Sequence, residues 1–440
     1  EAVGVFSDKG LNGMSQTFHK LYQKRLARGY WRDRPRPILN NNWEATYFDF
    51  TEDRLVEIAA KAKECGVELF VLDDGWFGAR SNDWAANRER LPQGIKGIAD
   101  RIEEMGMKFG LWFEPEMVNK DSDLYRAHPD WILQTPQRHS CHGRNQYVLD
   151  FSRKEVVDCI YEMMYKILSE AKVSYIKWDM NRSITECYSA ALPADRQGEV
   201  FHRYILGVYD LYERLNTAFP QILFESCASG GGRFDPGILY YAPQGWTSDD
   251  TDAAERVKIQ YGTSMCYPVS SMGSHVSVVP NHQLNRKTPL HTRANVAYFG
   301  TFGYELDLNK LSDEEISEVK QQITFMKEYR ELIQFGTFYR LKSPFEGNET
   351  VWMTVSEDKK TALVFWYRER NVVNADFTRV RLQGLDPDLI YRNEYNETEN
   401  YGDELMNLGL LTTDCTAGEP TSEDEPCTDY ESRICVLTAK

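Results

Sequence analysis

Apolar positions along the chain fall into short runs separated by stretches with helical spacing, and the two textures alternate. Runs at 38–43, 67–73, 108–114, 174–179 and 222–226 predict five strands. Residues 245–248, 269–272 and 297–302 fit three more. Between them, the spacing over 53–65, 95–105, 156–171 and 201–218 predicts amphipathic helices. A further helix over 11–29, polar and basic on one side, precedes the first strand. Eight strands with helices between most of them is the α/β pattern of a (β/α)₈ TIM barrel.

The pattern changes after a long helix over 314–335. Ser312 with Glu315 three residues later predicts a capping box at its start. Beyond Gly336 come short apolar runs at 351–355, 362–367, 377–382 and 434–437, separated by turn residues. These predict a small C-terminal all-β domain, a sandwich. The expected division is an N-terminal linker and helix at 1–30, a catalytic barrel at 31–337 and the sandwich at 338–440. Residues 413–431 are acidic and rich in Thr, Pro and Ser, and read as a surface loop. No internal repeat is present at solenoid periods.

Composition narrows the functional classes. Hydrophobic residues make up 42% of the 440 and charged residues 27%, which suits a large core and excludes global disorder. A net charge of −16 makes phosphate backbones and anionic lipid poor partners, so neither nucleic acid nor a membrane is expected. No run of about 18 apolar residues occurs. The nine Cys are odd in number and form no CxxC pair, which argues against a disulfide framework or zinc site and for a reducing, cytoplasmic location. The three late ones, Cys415, Cys427 and Cys435, leave a pairing open. The chain opens Glu1-Ala2-Val3, without an initiator Met or signal-peptide pattern, and reads as an internal cut.

Four carboxylate clusters stand where predicted strands end, which in a barrel is the active-site face. The first is Leu72-Asp73-Asp74-Gly75-Trp76: two acids closing an apolar run need partners, either a helix N-terminus or the hydroxyls of a sugar. The second, Gly110-Leu111-Trp112-Phe113-Glu114-Pro115-Glu116, joins an indole to two acids; a core Trp beside two solvated acids fits equally. In the third, Tyr175-Ile176-Lys177-Trp178-Asp179-Met180-Asn181, strand alternation puts Lys177, Asp179 and Asn181 on one face. Lys177 would there keep Asp179 ionised as a nucleophile requires, or form a structural ion pair with it. The fourth is Trp246-Thr247-Ser248-Asp249-Asp250-Thr251-Asp252. Three crowded acids should leave at least one with a raised pKa, suited to a general acid; a solvated turn or a cation site are the other readings. Two carboxylates in a barrel mouth are the minimum for glycoside hydrolysis. The Glu225-Ser226-Cys227-Ala228-Ser229-Gly230-Gly231-Gly232-Arg233 run permits close backbone approach to a ligand, or simply a turn. It lacks P-loop spacing, and the eight His form no HExxH, so a catalytic metal is unsupported, while the Asp clusters leave a calcium ion open.

As an ordered set, these motifs resemble the bacterial-type α-galactosidases of glycoside hydrolase family 36. The segments that carry the likeness are Asn41-Asn42-Trp43-Glu44-Ala45-Thr46-Tyr47-Phe48, Leu72-Asp73-Asp74-Gly75-Trp76-Phe77-Gly78, Trp112-Phe113-Glu114-Pro115-Glu116-Met117, Lys177-Trp178-Asp179-Met180-Asn181-Arg182 and Trp246-Thr247-Ser248-Asp249-Asp250-Thr251-Asp252. The resemblance implies retaining cleavage of terminal α-galactosides of melibiose or raffinose type, without a cofactor. Asp179 would be the nucleophile and Asp249 the acid/base. Asp73 and Asp74 would bind O4 and O6 of galactose; Trp43, Trp112 and Trp246 would wall the subsite. Arg144, Lys177 and Asn181 would hold hydroxyls and orient the nucleophile, with Cys227 and Gly230 near O2.

Two departures from the family pattern stand out. The large β-sandwich that usually precedes the barrel is missing, so the homo-oligomers of the family are not expected of so shortened a chain. The loop of residues 79–84, which should border the mouth, is shorter than usual, which bears on the aglycone. The rival readings are an α-N-acetylgalactosaminidase, a galactosyl-transferring relative, an inactive sugar-binding barrel and a metal-dependent hydrolase. Cys227-Ala228-Ser229-Gly230, in its usual galactosidase form, argues against the first.

Overall fold

A computed structural model describes residues 3–78, 83–372, 378–412 and 429–440. Eight strands form a closed barrel: β1 (Leu39–Asn41), β2 (Leu69–Leu72), β3 (Lys108–Phe113), β4 (Val173–Trp178), β5 (Leu223–Ser226), β6 (Gln244–Trp246), β7 (Met272–Ser277) and β8 (Thr301–Glu305). They follow one another around the barrel in chain order, β8 neighbouring β1. The pairs from β1 to β6 are parallel. The chain also divides into two compact units.

The first unit spans Leu26–Asp249 and Tyr304–Ser312. Its strands are apolar because both faces are covered: every residue of β2 is buried. Trp31, Leu39, Leu69, Val71, Tyr175 and Leu223 form one buried cluster. Helix α1 (Glu52–Cys65) follows β1, and its ends obey local chemistry. The Thr51 side chain accepts from the Arg54 amide, and Gly66 takes φ +102° at the C-cap, where a side chain would be strained. Helix α2 (Gly94–Glu104) follows β2, α3 (Lys154–Glu170) follows β3, and α4 (Val200–Ala218) follows β4. Each begins and ends within a few residues of the predicted stretch. Residues 79–82, most of the loop expected at the mouth, lie outside the described residues.

The second unit spans Glu1–Arg25, Asp250–Gly303 and Asp313–Lys440. The helix expected over 11–29 is shorter: it runs Gly10–Leu21 and passes into a π-helical turn at Tyr22–Leu26. The last two barrel strands also depart from expectation. Residues 269–271 form a 3₁₀ turn, and β7 begins only at Met272. Its sequence, Met-Gly-Ser-His-Val-Ser, is wholly buried, and the hydroxyls of Ser274 and Ser277 are bonded inside. Ser274, for instance, donates to Gln260 Oε1 at 2.7 Å. Hydropathy alone does not mark such a strand. Residues 290–297 form a helix, so β8 starts at Thr301 rather than near 297.

After the helix Asp313–Phe335 comes an antiparallel six-stranded sheet. Its strands are β9 (Thr337–Lys342), β10 (Glu349–Val355), β11 (Thr361–Arg368), β12 (Ile390–Asn393), β13 (Glu399–Tyr401) and β14 (Glu431–Ala439), in the order β9-β10-β11-β14-β12-β13. Period-two alternation is legible in it. Val351, Met353 and Val355 share a core with Val364, Trp366, Cys435 and Leu437, and with Val380 and Leu410 from a two-stranded pair. The run predicted at 377–382 reduces to the strand Arg379–Val380, residue 377 lying outside the described residues. Of the loop expected at 413–431, residues 413–428 lie outside the described residues, and Glu431 opens β14 instead. Two of the late cysteines, Cys415 and Cys427, fall there too. Among the described residues no helix is long and apolar enough to cross a membrane.

Candidate active site

All twelve residues expected at the site lie in the first unit. Strand register gathers them at one rim. Trp112 pairs with Lys177, Lys177 with Glu225, and Ser226 with Gly245, so the residues just beyond these positions emerge together.

Asp179 follows the last residue of β4 and is buried. Its backbone N–H donates to the Phe113 carbonyl at 2.8 Å, continuing the ladder by one bond. Four donors meet its carboxylate. Oδ2 accepts from Trp112 Nε1 at 3.2 Å and Asn181 Nδ2 at 2.7 Å. Oδ1 accepts from the Met180 amide at 2.8 Å and the Ser229 amide at 3.4 Å. All four are neutral, and together they fix the carboxylate's plane.

Lys177 does not hold Asp179 by contact. Its Nζ donates to Asp73 Oδ2 at 2.8 Å, and both side chains are buried. Alternation does bring Lys177 to the interior face, but the nearer acid comes from the end of β2, two strands away around the barrel. Burial alone would pull the ammonium down; Asp73 and then Cys227, Glu305 and Asp179 hold it well above its ordinary range. Its Nζ also lies 5.8 Å from the Trp246 ring centre.

Asp73 caps none of the described helices. Its Oδ2 also accepts from Asn41 Nδ2 at 2.6 Å, its Oδ1 from the Asp74 amide at 2.8 Å, and its own N–H donates to Asn42 Oδ1 at 2.7 Å. Asn41 and Asn42, to which the sequence pattern assigns no role, thus position the acid pair. Asp74 is paired with Arg144 at 2.7 Å. Arg144 sits in a tight hairpin turn, Gly143–Gln146, at the head of the strand Gln146–Val148, where it and Asn145 take φ +53° and +60°. That left-handed turn aims the guanidinium back at the rim. Trp43 is half-buried, in a short helix Trp43–Thr46, and packs edge-on against Tyr47 and Phe48.

Trp112 is enclosed, its ring 5.9 Å from that of Phe77 and 6.4 Å from that of Trp84. Beside it, Glu114 and Glu116 are not solvated but fully buried. Glu116 pairs with Arg233 and accepts from Trp178 and Tyr204. Glu114 accepts from the Asn181 amide and from Gln146 Nε2. Burial, then the nearby charge of Asp179, push the Glu114 carboxyl up; Arg144 opposes them.

Asp249 is open to solvent, in contrast. Partial desolvation in the mouth still raises its carboxyl; Lys177 opposes, while Asp179, Glu305 and Asp73 push the same way. Asp250 is also raised, first by burial. Asp252 is the N-cap of the helix Ala253–Thr263, accepting from the Ala254 and Glu255 amides. The three acids of this cluster therefore have three fates.

The glycine run explains how Asp249 is placed. Gly230 takes φ +80°, and a Cβ there would stand 2.5 Å from Ser248 Cα and 2.7 Å from the Asp249 nitrogen. The turn after β5 therefore lies directly on the backbone that presents Asp249, at a distance only glycine allows. Cys227, buried in the same turn, has its thiol pushed well up by burial and by Asp179 and Asp249, with Lys177 and the Gly230 N–H opposing. The fields of both acids thus converge on one thiol.

Glu305 escapes the sequence pattern. It ends β8, is buried, and acts electrostatically on both Lys177 and Asp249. An eighth strand placed at 297–302 leaves it three residues outside; reading the acid itself as a strand end would find it. Among the described residues no group of three or more His, Cys, Asp or Glu is arranged to hold a metal. Of the cysteines, Cys141, Cys159, Cys187, Cys227 and Cys266 are free thiols.

Comparison with known proteins identifies the family. The Melibiase family model matches residues 1–336, and the Glycosyl hydrolase family 36 C-terminal domain matches residues 349–437. The chain is 56% identical over 416 residues to alpha-galactosidase AgaA of Geobacillus stearothermophilus and 53% identical over 416 to alpha-galactosidase Mel36A of Lactobacillus acidophilus. Each alignment covers 93% of this chain but only 57% of the relative, so the chain spans little more than half their length. The crystal structure of a variant of that AgaA in complex with raffinose superposes with a TM-score of 0.95 at 53% identity, covering 99% of this chain and 60% of that one. The alpha-galactosidase of Lactobacillus brevis gives 0.94 at 49% identity, covering 99% and 59%. The chain belongs to the melibiase family, glycosyl hydrolase family 36.

Proposed function

We propose that this chain carries the catalytic barrel of an α-galactosidase, which releases terminal galactose from raffinose- and melibiose-type oligosaccharides with retention. The observation that carries the reading is one rim holding two unlike carboxylates, Asp179 fixed by four donors and Asp249 raised and accessible. Asp179 attacks the anomeric carbon while Asp249 protonates the departing oxygen. Asp249 then takes a proton from water, which displaces the galactosyl group from Asp179. All three relatives named above are alpha-galactosidases, and the AgaA variant was crystallised with raffinose, which supports the substrate class.

Around the anomeric carbon, Asp73 and Asp74 accept from O4 and O6, while Arg144, Lys177 and Asn181 hold neighbouring hydroxyls. Trp43, Trp112 and Trp246 wall the sugar, and Cys227 and Gly230 border O2. No cofactor or metal takes part in this scheme. The catalytic domain is residues 31–337, preceded by a linker and helix and followed by the sandwich at 338–440. Free thiols suit a cytoplasmic setting.

The test is release of p-nitrophenol from the α-galactoside and from the α-N-acetylgalactosaminide, each with and without EDTA. EDTA-resistant cleavage of the galactoside alone is expected. Preference for the acetamido sugar would transfer the reading to the N-acetyl class, and loss of activity with EDTA would overturn the metal-free scheme.

A further inference from the structure

Glu114 is fully buried one residue beyond β3, and both groups that donate to it are neutral. Its Oε1 accepts from the Asn181 amide at 2.8 Å, and its Oε2 contacts the Gln146 side-chain amide. The cation that acts on it, Arg144, gives its hydrogen bond to Asp74. The acid that faces Glu114 from the end of β4 is Asp179, and the charged group that faces it from the hairpin is Arg144. A second bare anion beside a buried nucleophile would be costly. Gln146 itself is buried, and its Oε1 has no hydrogen-bond partner. Turning that amide by half a rotation lets Oε1 accept a proton from a neutral Glu114 carboxyl. One proton on Glu114 satisfies the orphan oxygen and removes the repulsion together.

The same residue joins two parts of the site. Asn181, held at its backbone by Glu114, gives its side-chain amide to Asp179 and accepts from Ser229 Oγ. Gln146 is two residues from Arg144 and closes the same hairpin turn through its N–H to the Gly143 carbonyl at 2.8 Å. We infer that Glu114 is a positioning residue: a protonated carboxyl that ties the turn carrying the nucleophile to the hairpin carrying the Arg144 clamp. This rests on the reading of Asp179 as nucleophile and Arg144 as part of the sugar clamp.

Glu114→Gln and Glu114→Leu separate this role from plain packing. Glutamine mimics the neutral acid and keeps both bonds, so kcat and KM should stay near wild type on p-nitrophenyl α-galactoside. Leucine keeps the bulk but frees both partners, and should lower kcat on the order of 10²-fold and raise KM. Gln146→Leu frees only the hairpin and should act mainly on KM. In deuterated buffer at neutral pH, the infrared carbonyl band of a protonated carboxyl should be present in wild type and missing from Glu114→Gln. The inference is overturned if Glu114→Gln loses as much as Glu114→Leu, or if no such band is lost. It is overturned equally by a folded Glu114→Leu, checked by thermal unfolding, with wild-type kcat and KM. A wild-type chain that cleaves no galactoside would instead defeat the proposed function, and the infrared band would still decide the protonation.

Discussion

The ends of β4 and β6 present the same residue type to the same mouth and make two different acids of it. Asp179 is buried, and four neutral donors divide between its oxygens. Asp249 stands at the open mouth, and its carboxyl is raised first by partial desolvation there; Lys177 opposes, while Asp179, Glu305 and Asp73 add to the rise. Hydrogen bonds fix a direction in space, as a nucleophile needs. Desolvation, helped by neighbouring anions, keeps a proton at home, as a general acid needs. The difference teaches that the sorting of two aspartates lies less in the residues themselves than in what their strand ends face.

The comparison breaks most sharply at Asp179. Asp179→Asn keeps the shape but cannot form a glycosyl-enzyme, and turnover should fall by on the order of 10⁴-fold or more. Wild-type rates in that variant would remove the asymmetry between the two acids altogether. Asp249→Ala should cost about 10²–10⁴-fold on raffinose and much less on p-nitrophenyl α-galactoside, whose leaving group needs little protonation. Equal losses on the two substrates would deny Asp249 its proton-donating half of the contrast.

Gly230→Ala tests how β6 is aimed. The new Cβ meets the Ser248 and Asp249 backbone at 2.5–2.7 Å, so that backbone must shift. Even a displacement of about 1 Å can cost about 10²-fold in kcat. A wild-type kcat in this variant would show that the glycine turn does not set the acid's position. The mildest effect should come from Glu305→Gln. The Glu305 anion raises Asp249, so its removal lowers the pKa of the acid. Because the protonated form is the active donor, activity is lost as pH rises through that pKa. The alkaline limb of kcat/KM should therefore move to lower pH, and an unmoved limb would argue that Asp249's proton is not held by that field.

Much of this arrangement is legible in the amino-acid sequence, and the gaps have physical causes. Acids that close an apolar run are costly without partners, which points to Asp73 and Asp74; strand alternation beside Lys177 points to Asp179, and the crowding of three acids to the cluster that holds Asp249. The apolar runs themselves mark the first five strands. They fail at β7, where Ser274, His275 and Ser277 are buried polar residues and leave no hydrophobic run. The shifted β8 then hides Glu305. Alternation rightly turns Lys177 inward, but which acid it meets depends on register across the barrel, and its partner Asp73 lies 104 positions away in the chain. The links among Glu114, Gln146 and Asn181 are likewise long-range, so no local pattern announces them. Asp252 shows the converse: a helix start at Ala253 is readable, yet three clustered acids invite a shared explanation.

The most direct test is to trap the enzyme with a 2-fluoro α-galactosyl substrate that forms the intermediate but releases it slowly, and to map the labelled peptide by mass spectrometry. A single galactosyl ester on Asp179, with its release restored by an added acceptor, is the predicted result. A label on Asp249, or turnover of natural substrate with inversion at the anomeric carbon and no covalent species, would contradict the assignment of the two strand ends.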